Sequence, residues 1–367
     1  MNIEESSDKF LKVLSKYRSL LIYIKGSPDP DVIASSYALS IICLNLDIKH
    51  RISCATNPSL PQNEAIINDL EIPIHFEETV ENIKQYEAYA VLDFQSALIN
   101  GITGIIPCAI HIDHHEPVEE NIEIDFKMVI KDAGSISTFF ALIIKQLNYK
   151  KFKIEKQQLT NISTALLYGI QVDTDSYRHA SHFDLEALNY LSEYSNKKVI
   201  ERITDIPLPN YVIRLIIRAL KNKVEYKSWL FAGIGFINES ERDSIAIIAD
   251  YFIQKFDFSL AAVFAVIVKK KPEGLNLDAS FRTEDENIDL NKLIHSISSI
   301  GGGRKYKGAY QVDLDYFLTC PDRDLLWNLI ESTTIVKLKK SRDEMPFTKI
   351  KHFYTKIADK AGKIFKS

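Results

Sequence analysis

From Ser19 onward, short apolar runs alternate with stretches whose apolar positions recur every three or four residues. That is the pattern of an α/β fold with a largely parallel sheet. Residues 20–25 are predicted as a strand, 32–46 as a helix and 48–55 as the next strand. Residues 89–93 and 108–113 are two more short strands, each ending in an aspartate. Helices are predicted over 132–147 and 157–168, the second leading into Gly169-Ile170-Gln171-Val172-Asp173-Thr174-Asp175. A mostly helical stretch follows to about 222. Strands return over 229–237, 261–269 and 275–282, with a helix over 240–256 between them, so a second α/β domain is predicted. The expected division is a parallel-sheet domain over 1–200, a helical connector over 201–226, a smaller α/β domain over 227–336 and a tail over 337–367. A cleft between the two domains is the expected place for a site. No internal repeat stands out.

Composition adds bounds to this picture. A chain of 367 residues, 46% hydrophobic and 26% charged, has enough apolar material for two ordinary cores. Its formal net charge of -4 gives no global attraction for long nucleic acid, so a polyanionic substrate needs a local basic site. Cys43, Cys54, Cys108 and Cys320 stand apart without C-x-x-C spacing, as expected of buried thiols in a reducing compartment. The first sixteen residues lack an apolar leader core, and no segment approaches 18 uninterrupted apolar residues. A cytoplasmic protein without a transmembrane segment is the expectation. The tail holds ten Lys or Arg against three acidic residues, with Phe347, Ile350, Phe353, Tyr354, Ile357, Ile364 and Phe365 interspersed. It reads either as an amphipathic helix packed on the protein or as a contact for nucleic acid, a membrane surface or a partner.

Three acidic clusters fall at predicted carboxyl ends of strands, where open α/β sheets bind their ligands. In Pro28-Asp29-Pro30-Asp31, two carboxylates sit two residues apart in a turn stiffened by prolines; the same turn also suits a helix N-cap. Asp93 ends Val91-Leu92-Asp93. In Asp113-His114-His115-Glu116-Pro117, one imidazole is a candidate ligand, Asp113 a carboxylate to orient it, and His115 a second imidazole for a phosphate or its leaving group. Oxygen donors with one nitrogen suit Mn²⁺ or Mg²⁺.

These segments, with Gly169-Ile170-Gln171-Val172-Asp173-Thr174, occur in the order and approximate spacing of the four motifs of the DHH phosphoesterases, which the chain resembles from about residue 20 to 318. Ser280-Phe281-Arg282 and Gly301-Gly302-Gly303-Arg304 resemble motifs of the domain associated with that family. The likeness is nearest to the branch of bacterial oligoribonucleases and pAp phosphatases called nanoRNases. It implies one or two Mn²⁺ or Mg²⁺ ions, with Asp29 and Asp93 serving one and Asp31, Asp93, His114 and Asp173 the other. His115 would face the scissile phosphate, and metal-activated water would hydrolyse short oligonucleotides or nucleotides such as pAp. Arg282, the backbone of Gly301, Gly302 and Gly303, and Arg304 would hold the distal phosphate or nucleotide. Arg178 is either a further phosphate ligand or a surface charge. A homodimer is compatible with the family.

Two positions depart from the family pattern. Lys25 stands where the first motif has a histidine ligand, and its ammonium either replaces one ion by pairing with Asp29 and Asp93 or changes the catalysis. Arg304 stands where the glycine-rich motif continues with histidine, which favours anion binding over proton exchange. Two alternatives to a nucleotide phosphoesterase therefore stay open: a nucleotide-binding sensor or scaffold with little turnover, and a cyclic-dinucleotide phosphodiesterase.

Overall fold

Ser19-Leu20-Leu21-Ile22-Tyr23-Ile24 has no polar face, and it forms strand β1 (Ser19–Ile24) inside a sheet of six strands. The computed structural model describes residues 3–115, 121–150, 152, 154–270 and 272–344. They fall into two units, Met1–Asn210 and Tyr211–Ser367.

In the first unit, helix α1 (Ile3–Leu14) precedes β1, which is followed by α2 (Pro30–Asn45), β2 (Lys49–Cys54), α3 (Pro61–Asp69) and β3 (Ile74–Phe76). Strands β4 (Ala88–Leu92), β5 (Cys108–Asp113) and β6 (Ile124–Val129) come next, then helices α4 (Ile136–Lys150), α5 (Lys156–Asp173), α6 (His182–Ser192) and α7 (Lys197–Thr204). The strand order is β3-β2-β1-β4-β5-β6 and every pairing is parallel. After β3 the chain returns to the far side of β1, so the direction of winding reverses between β1 and β4. Loops leaving the carboxyl ends of these two strands therefore diverge and leave a crevice.

Every residue of β4 and β5 is buried, as expected of strands covered on both faces. On one face Leu20, Ile22, Ile33, Leu39, Phe139, Phe140 and Ile162 belong to the main core. On the other, Leu21, Tyr89, Val91, Ile99 and Ile102 form a smaller one under the loop after β4. Helix α2 is buried from Pro30 to Cys43 and is rich in Ala and Ser, which lets α4 and α5 pack closely against it.

Helix α8 (Asn210–Asn222) opens the second unit, followed by β7 (Val224–Tyr226), β8 (Trp229–Asn238), α9 (Ser244–Lys255), β9 (Leu260–Lys270) and β10 (Glu273–Thr283). Then come α10 (Leu290–Ile297), β11 (Gly301–Gly303), β12 (Lys307–Asp313) and α11 (Arg323–Glu344). Its sheet runs β11-β12-β10-β9-β8-β7, with β8 and β9 parallel across α9 and the other pairs antiparallel. Trp229, Phe231, Phe264, Phe281 and Tyr310 centre its core.

The mixed α/β architecture, with a parallel first sheet, is the one predicted. Three local expectations change. Helix α4 begins at Ile136 and not at 132, because a turn through Ser135 comes first. Helix α5 does not stop at 168 but runs on to Asp173, which places that carboxylate in a last helical turn. Gly301–Gly303 is an edge strand. Cys43, Cys54 and Cys108 are buried, while Cys320 is half-buried. No helix among the described residues is long and apolar enough to cross a membrane. The tail residues 345–367 and Glu116 lie outside the described residues, and residues 337–344 continue α11.

Candidate metal centre

At the switch between β1 and β4, three loop starts and one helix end bring acidic groups together. Asp29 caps α2, its Oδ1 accepting from the Val32 N–H at 3.0 Å, and Asp31 lies in the first turn of the same helix. The cap reading of Pro28-Asp29-Pro30-Asp31 thus coexists with a site reading. Asp93 follows β4 in a left-handed conformation, φ 51°, with its N–H donating to the Ile112 carbonyl at 2.9 Å. Non-glycine residues rarely adopt that conformation, although aspartate tolerates it better than most. Asp113 closes β5, and Asp173 closes α5.

His114 is the point of convergence. Its Nε2 lies 3.1 Å from Asp93 Oδ1 and 3.1 Å from Asp173 Oδ2, with the imidazole 1% exposed. Donor atoms at about 2.1 Å from an octahedral ion stand about 3.0 Å apart when adjacent, so these spacings suit ligands of one hard divalent cation. Asp31, His114 and Asp173 each place a donor atom within 4.8 Å of the others, and so do Asp93, His114 and His115. The two groups share His114. His115 Nδ1 is 2.6 Å from Asp113 Oδ1 and 3.6 Å from Asp93 Oδ1, and its ring meets that of His114 edge-on at 4.8 Å between centroids. Asp113 also accepts from the His114 N–H at 2.8 Å through the same Oδ1. Its Oδ2 is buried and has no hydrogen-bond partner among the described residues.

Charge in the site is unbalanced in the direction a cation would correct. Burial of its carboxyl, then Asp93, then Asp173, push Asp29 up to about 8, even though part of the residue stays open to solvent. Burial and the same two neighbours push Asp31 well above the usual carboxylate range. Burial would also raise Asp113, but its hydrogen bond to His115 and the nearby imidazoles outweigh this and hold it low. A carboxyl whose folded pKa is raised stabilises the fold fully below its ordinary value near 3.8, and that contribution is lost as pH rises through the folded value near 8. The melting temperature of chelator-treated protein is therefore expected to fall between about pH 5 and about pH 8.5, and Mn²⁺ to raise it most at the upper end. Scanning calorimetry across that range checks this; a flat profile with no Mn²⁺ effect would contradict it.

Lys25 Nζ donates to the Leu98 carbonyl at 2.8 Å and to Ser96 Oγ at 3.3 Å, and sits 4.5 Å from the centre of the Phe94 ring. It thereby ties β1 to the loop that leaves Asp93. Arg178 Nη1 lies 3.6 Å from Asp175 Oδ2 on a half-exposed side chain. Between them, Asp175, Ser176 and Tyr177 are successively left-handed, with φ of 52°, 54° and 70°. Asp175 follows the Thr174 cap of α5, at the position where glycine or asparagine is usual, and the Ser176 N–H reaches back to the Gln171 carbonyl at 2.7 Å.

The remaining predicted residues belong to the second unit. Arg282 Nε and Nη2 grip both oxygens of Asp250 at 2.5 and 3.1 Å, while Nη1 donates to Ser280 Oγ and the Phe281 carbonyl, each at 2.9 Å. A phosphate there would have to compete with a bidentate internal carboxylate. Gly301, Gly302 and Gly303 pair with Tyr310, Ala309 and Gly308. A Cβ on Gly301 would stand 2.4 Å from the Ala309 oxygen, and one on Gly303 2.8 Å from Leu290 Cβ. Close packing of β11 already requires these glycines. The Arg304 N–H closes the turn onto the Lys307 carbonyl at 2.7 Å.

Four positioning side chains escaped the sequence reading. Ser135 and Ser137 both bond Asp31, and Asp184 bonds the turn between them and Gly134. Gly134-Ser135-Ile136-Ser137-Thr138 before an apolar run carries the mark of a helix start, which points to Ser135 and Ser137 as caps and not as site residues. His111 Nε2 meets the Phe94 carbonyl at 2.7 Å, fixing the chain one residue beyond Asp93.

No family model matches the chain. An uncharacterised protein of Methanocaldococcus jannaschii is 26% identical over 325 residues, 88% of this chain and 64% of that protein. The chain thus spans just under two thirds of that relative's length. An exopolyphosphatase-related protein from Bacteroides fragilis superposes with a TM-score of 0.66, over 93% of this chain and 98% of its own. The two share a fold. At 16% identity, the likeness extends no further than that.

Proposed function

We propose that this chain is a metal-dependent phosphoesterase of the DHH family, acting on short oligonucleotides or nucleotide phosphates. The observation that carries the reading is His114 Nε2 equidistant from Asp93 and Asp173 at the switch point of a parallel sheet, with a donor atom of Asp31 within 4.8 Å of those of His114 and Asp173. Asp31, Asp93, His114 and Asp173 would hold a divalent ion, which would supply positive charge that favours attack of water on phosphorus. Around it the protein orients and moves protons. Asp113, kept ionised by the imidazoles, holds His115 with its other ring nitrogen available to a leaving oxygen. Asp29 offers a further carboxylate beside Asp93, where a second ion would provide balance. The fold shared with an exopolyphosphatase-related protein is compatible with phosphate chemistry.

A second reading, nucleotide binding with little turnover, draws on Lys25 and Arg304, two fixed positive charges where the family pattern has histidines. The two readings separate in one experiment. Hydrolysis of pAp, short RNA, short DNA and cyclic dinucleotides is assayed with Mn²⁺, Mg²⁺ or chelator, alongside bound-metal analysis of wild type and Lys25→His. Metal-dependent turnover of at least one substrate is expected, with about one ion per wild-type chain and a higher occupancy in Lys25→His. Nucleotide binding with no turnover under any condition would transfer support to the second reading.

A further inference from the structure

Asp31 does not stand freely in front of His114 and Asp173. Its Oδ1 accepts from Ser135 Oγ at 2.7 Å, the Ser137 N–H at 2.8 Å and Ser137 Oγ at 2.5 Å, with Ser35 Oγ further off at 3.5 Å. Its Oδ2 accepts from the Ile136 N–H alone among these donors, at 2.9 Å. A carboxylate oxygen has about two lone-pair directions, so Oδ1 is saturated while Oδ2 keeps room for one more partner. The donors form the first turn of α4, whose aligned N–H groups favour a carboxylate there.

The same turn is gripped from its other side by a second buried carboxylate. Asp184 accepts from the Gly134 N–H at 3.0 and 3.2 Å and from Thr138 Oγ1 at 2.5 Å, and it anchors α6 through the Ser181 N–H at 2.7 Å. Gly134 also lies so near Thr174, the residue after Asp173, that a Cβ on it would stand 2.6 Å from the Thr174 methyl. Residues 134–138 therefore touch the carboxylate of Asp31 on one side and the segment carrying Asp173 on the other.

We infer that Ser135 and Ser137 are positioning residues of the metal centre, fixing Asp31 so that Oδ2 alone is offered to an ion, with Thr138 and Asp184 clamping their turn. This inference rests on the metal-centre reading above. Asp31 is then a one-oxygen ligand whose angle is set by two hydroxyls that never touch the ion. Groups that orient a metal ligand in this way typically contribute about 10- to 100-fold in affinity.

The test measures Mn²⁺ affinity of the full chain by the electron paramagnetic resonance signal of free ion and by calorimetry, with no substrate present. Ser137→Ala is expected to bind Mn²⁺ about 10- to 100-fold more weakly and to change the signal of the bound ion. Ser137→Thr, which keeps a hydroxyl and the N–H, should recover most of the affinity, and Ser135→Ala serves if Ser137→Ala does not fold. Thr138→Val, which loses only the bond to Asp184, should fall between. Ser163→Ala, a buried serine of α5 whose hydroxyl has no partner among the described residues, should stay near wild type. Affinity in Ser137→Ala and Ser135→Ala within about twofold of wild type overturns the inference while leaving a metal centre in place. A wild-type chain that binds no Mn²⁺ overturns the metal reading, and this inference with it.

Discussion

Asp93→Ala is expected to lower kcat/KM for phosphate-ester hydrolysis by about 10³-fold or more, equivalent to about 4 kcal/mol of transition-state stabilisation. Asp93 lies beside both imidazoles, with Oδ1 3.1 Å from His114 and 3.6 Å from His115. It also helps push Asp29 and Asp31 upwards. Its removal should therefore separate activity from stability. Asp93→Gly loses the carboxylate and also relieves the left-handed backbone at φ 51°. In chelator it should be more stable than Asp93→Ala by about 1 kcal/mol, while both are equally inactive. Steady-state kinetics and urea unfolding of the two variants check this. Activity above a tenth of wild type in either would remove Asp93 from the centre of the mechanism.

Asp93 also shows what the sequence could reveal. An aspartate after a wholly apolar run is conspicuous, and so are Asp29, Asp31, Asp113, His114 and His115 after theirs, because parallel strands bury both faces and expose their chemistry only at the carboxyl end. Asp173 was legible as a motif but not as a helical residue, since a glycine such as Gly169 ordinarily disfavours a helix. Ser135, Ser137 and Asp184 were illegible as site residues: what they do depends on α4 meeting α2, and α6 meeting α4, in space, and hydroxyls before a helix look like ordinary caps. Gly301–Gly303 misled in the opposite sense. Glycines that let a backbone approach an anion and glycines that let two strands and a helix approach one another are the same letters.

Gly169→Ala should destabilise the chain by about 1–3 kcal/mol, although alanine for glycine inside a helix ordinarily stabilises by about 1 kcal/mol. Gly169 lies on α5 where it crosses the start of α2. A Cβ there would stand 2.5 Å from Ser137 Oγ, 3.2 Å from the Pro30 oxygen and 3.3 Å from Asp31 Cα. The Ser137 hydroxyl can swing away only by releasing Asp31, and the two backbone atoms can move only with the turn of Asp29 and Asp31. The substitution should thus weaken Mn²⁺ binding as well as the fold, with both losses seen in melting curves taken with and without the ion. A Gly169→Ala chain more stable than wild type would show that α5 has slack at this crossing.

The order of strands in the first sheet has a consequence for how the chain acquires its site. Strands β1 and β4 are neighbours in space, yet the whole of α2, β2, α3 and β3 lies between them in sequence. Closing that long loop costs entropy before the pairing returns anything, which makes such contacts slow to form. Asp31 and Asp93 are brought together only when that closure occurs, and Asp173 only when α5 docks. During refolding, ion capture should accordingly report the last cooperative step, and Mn²⁺ should slow unfolding while leaving the early collapse rate unchanged.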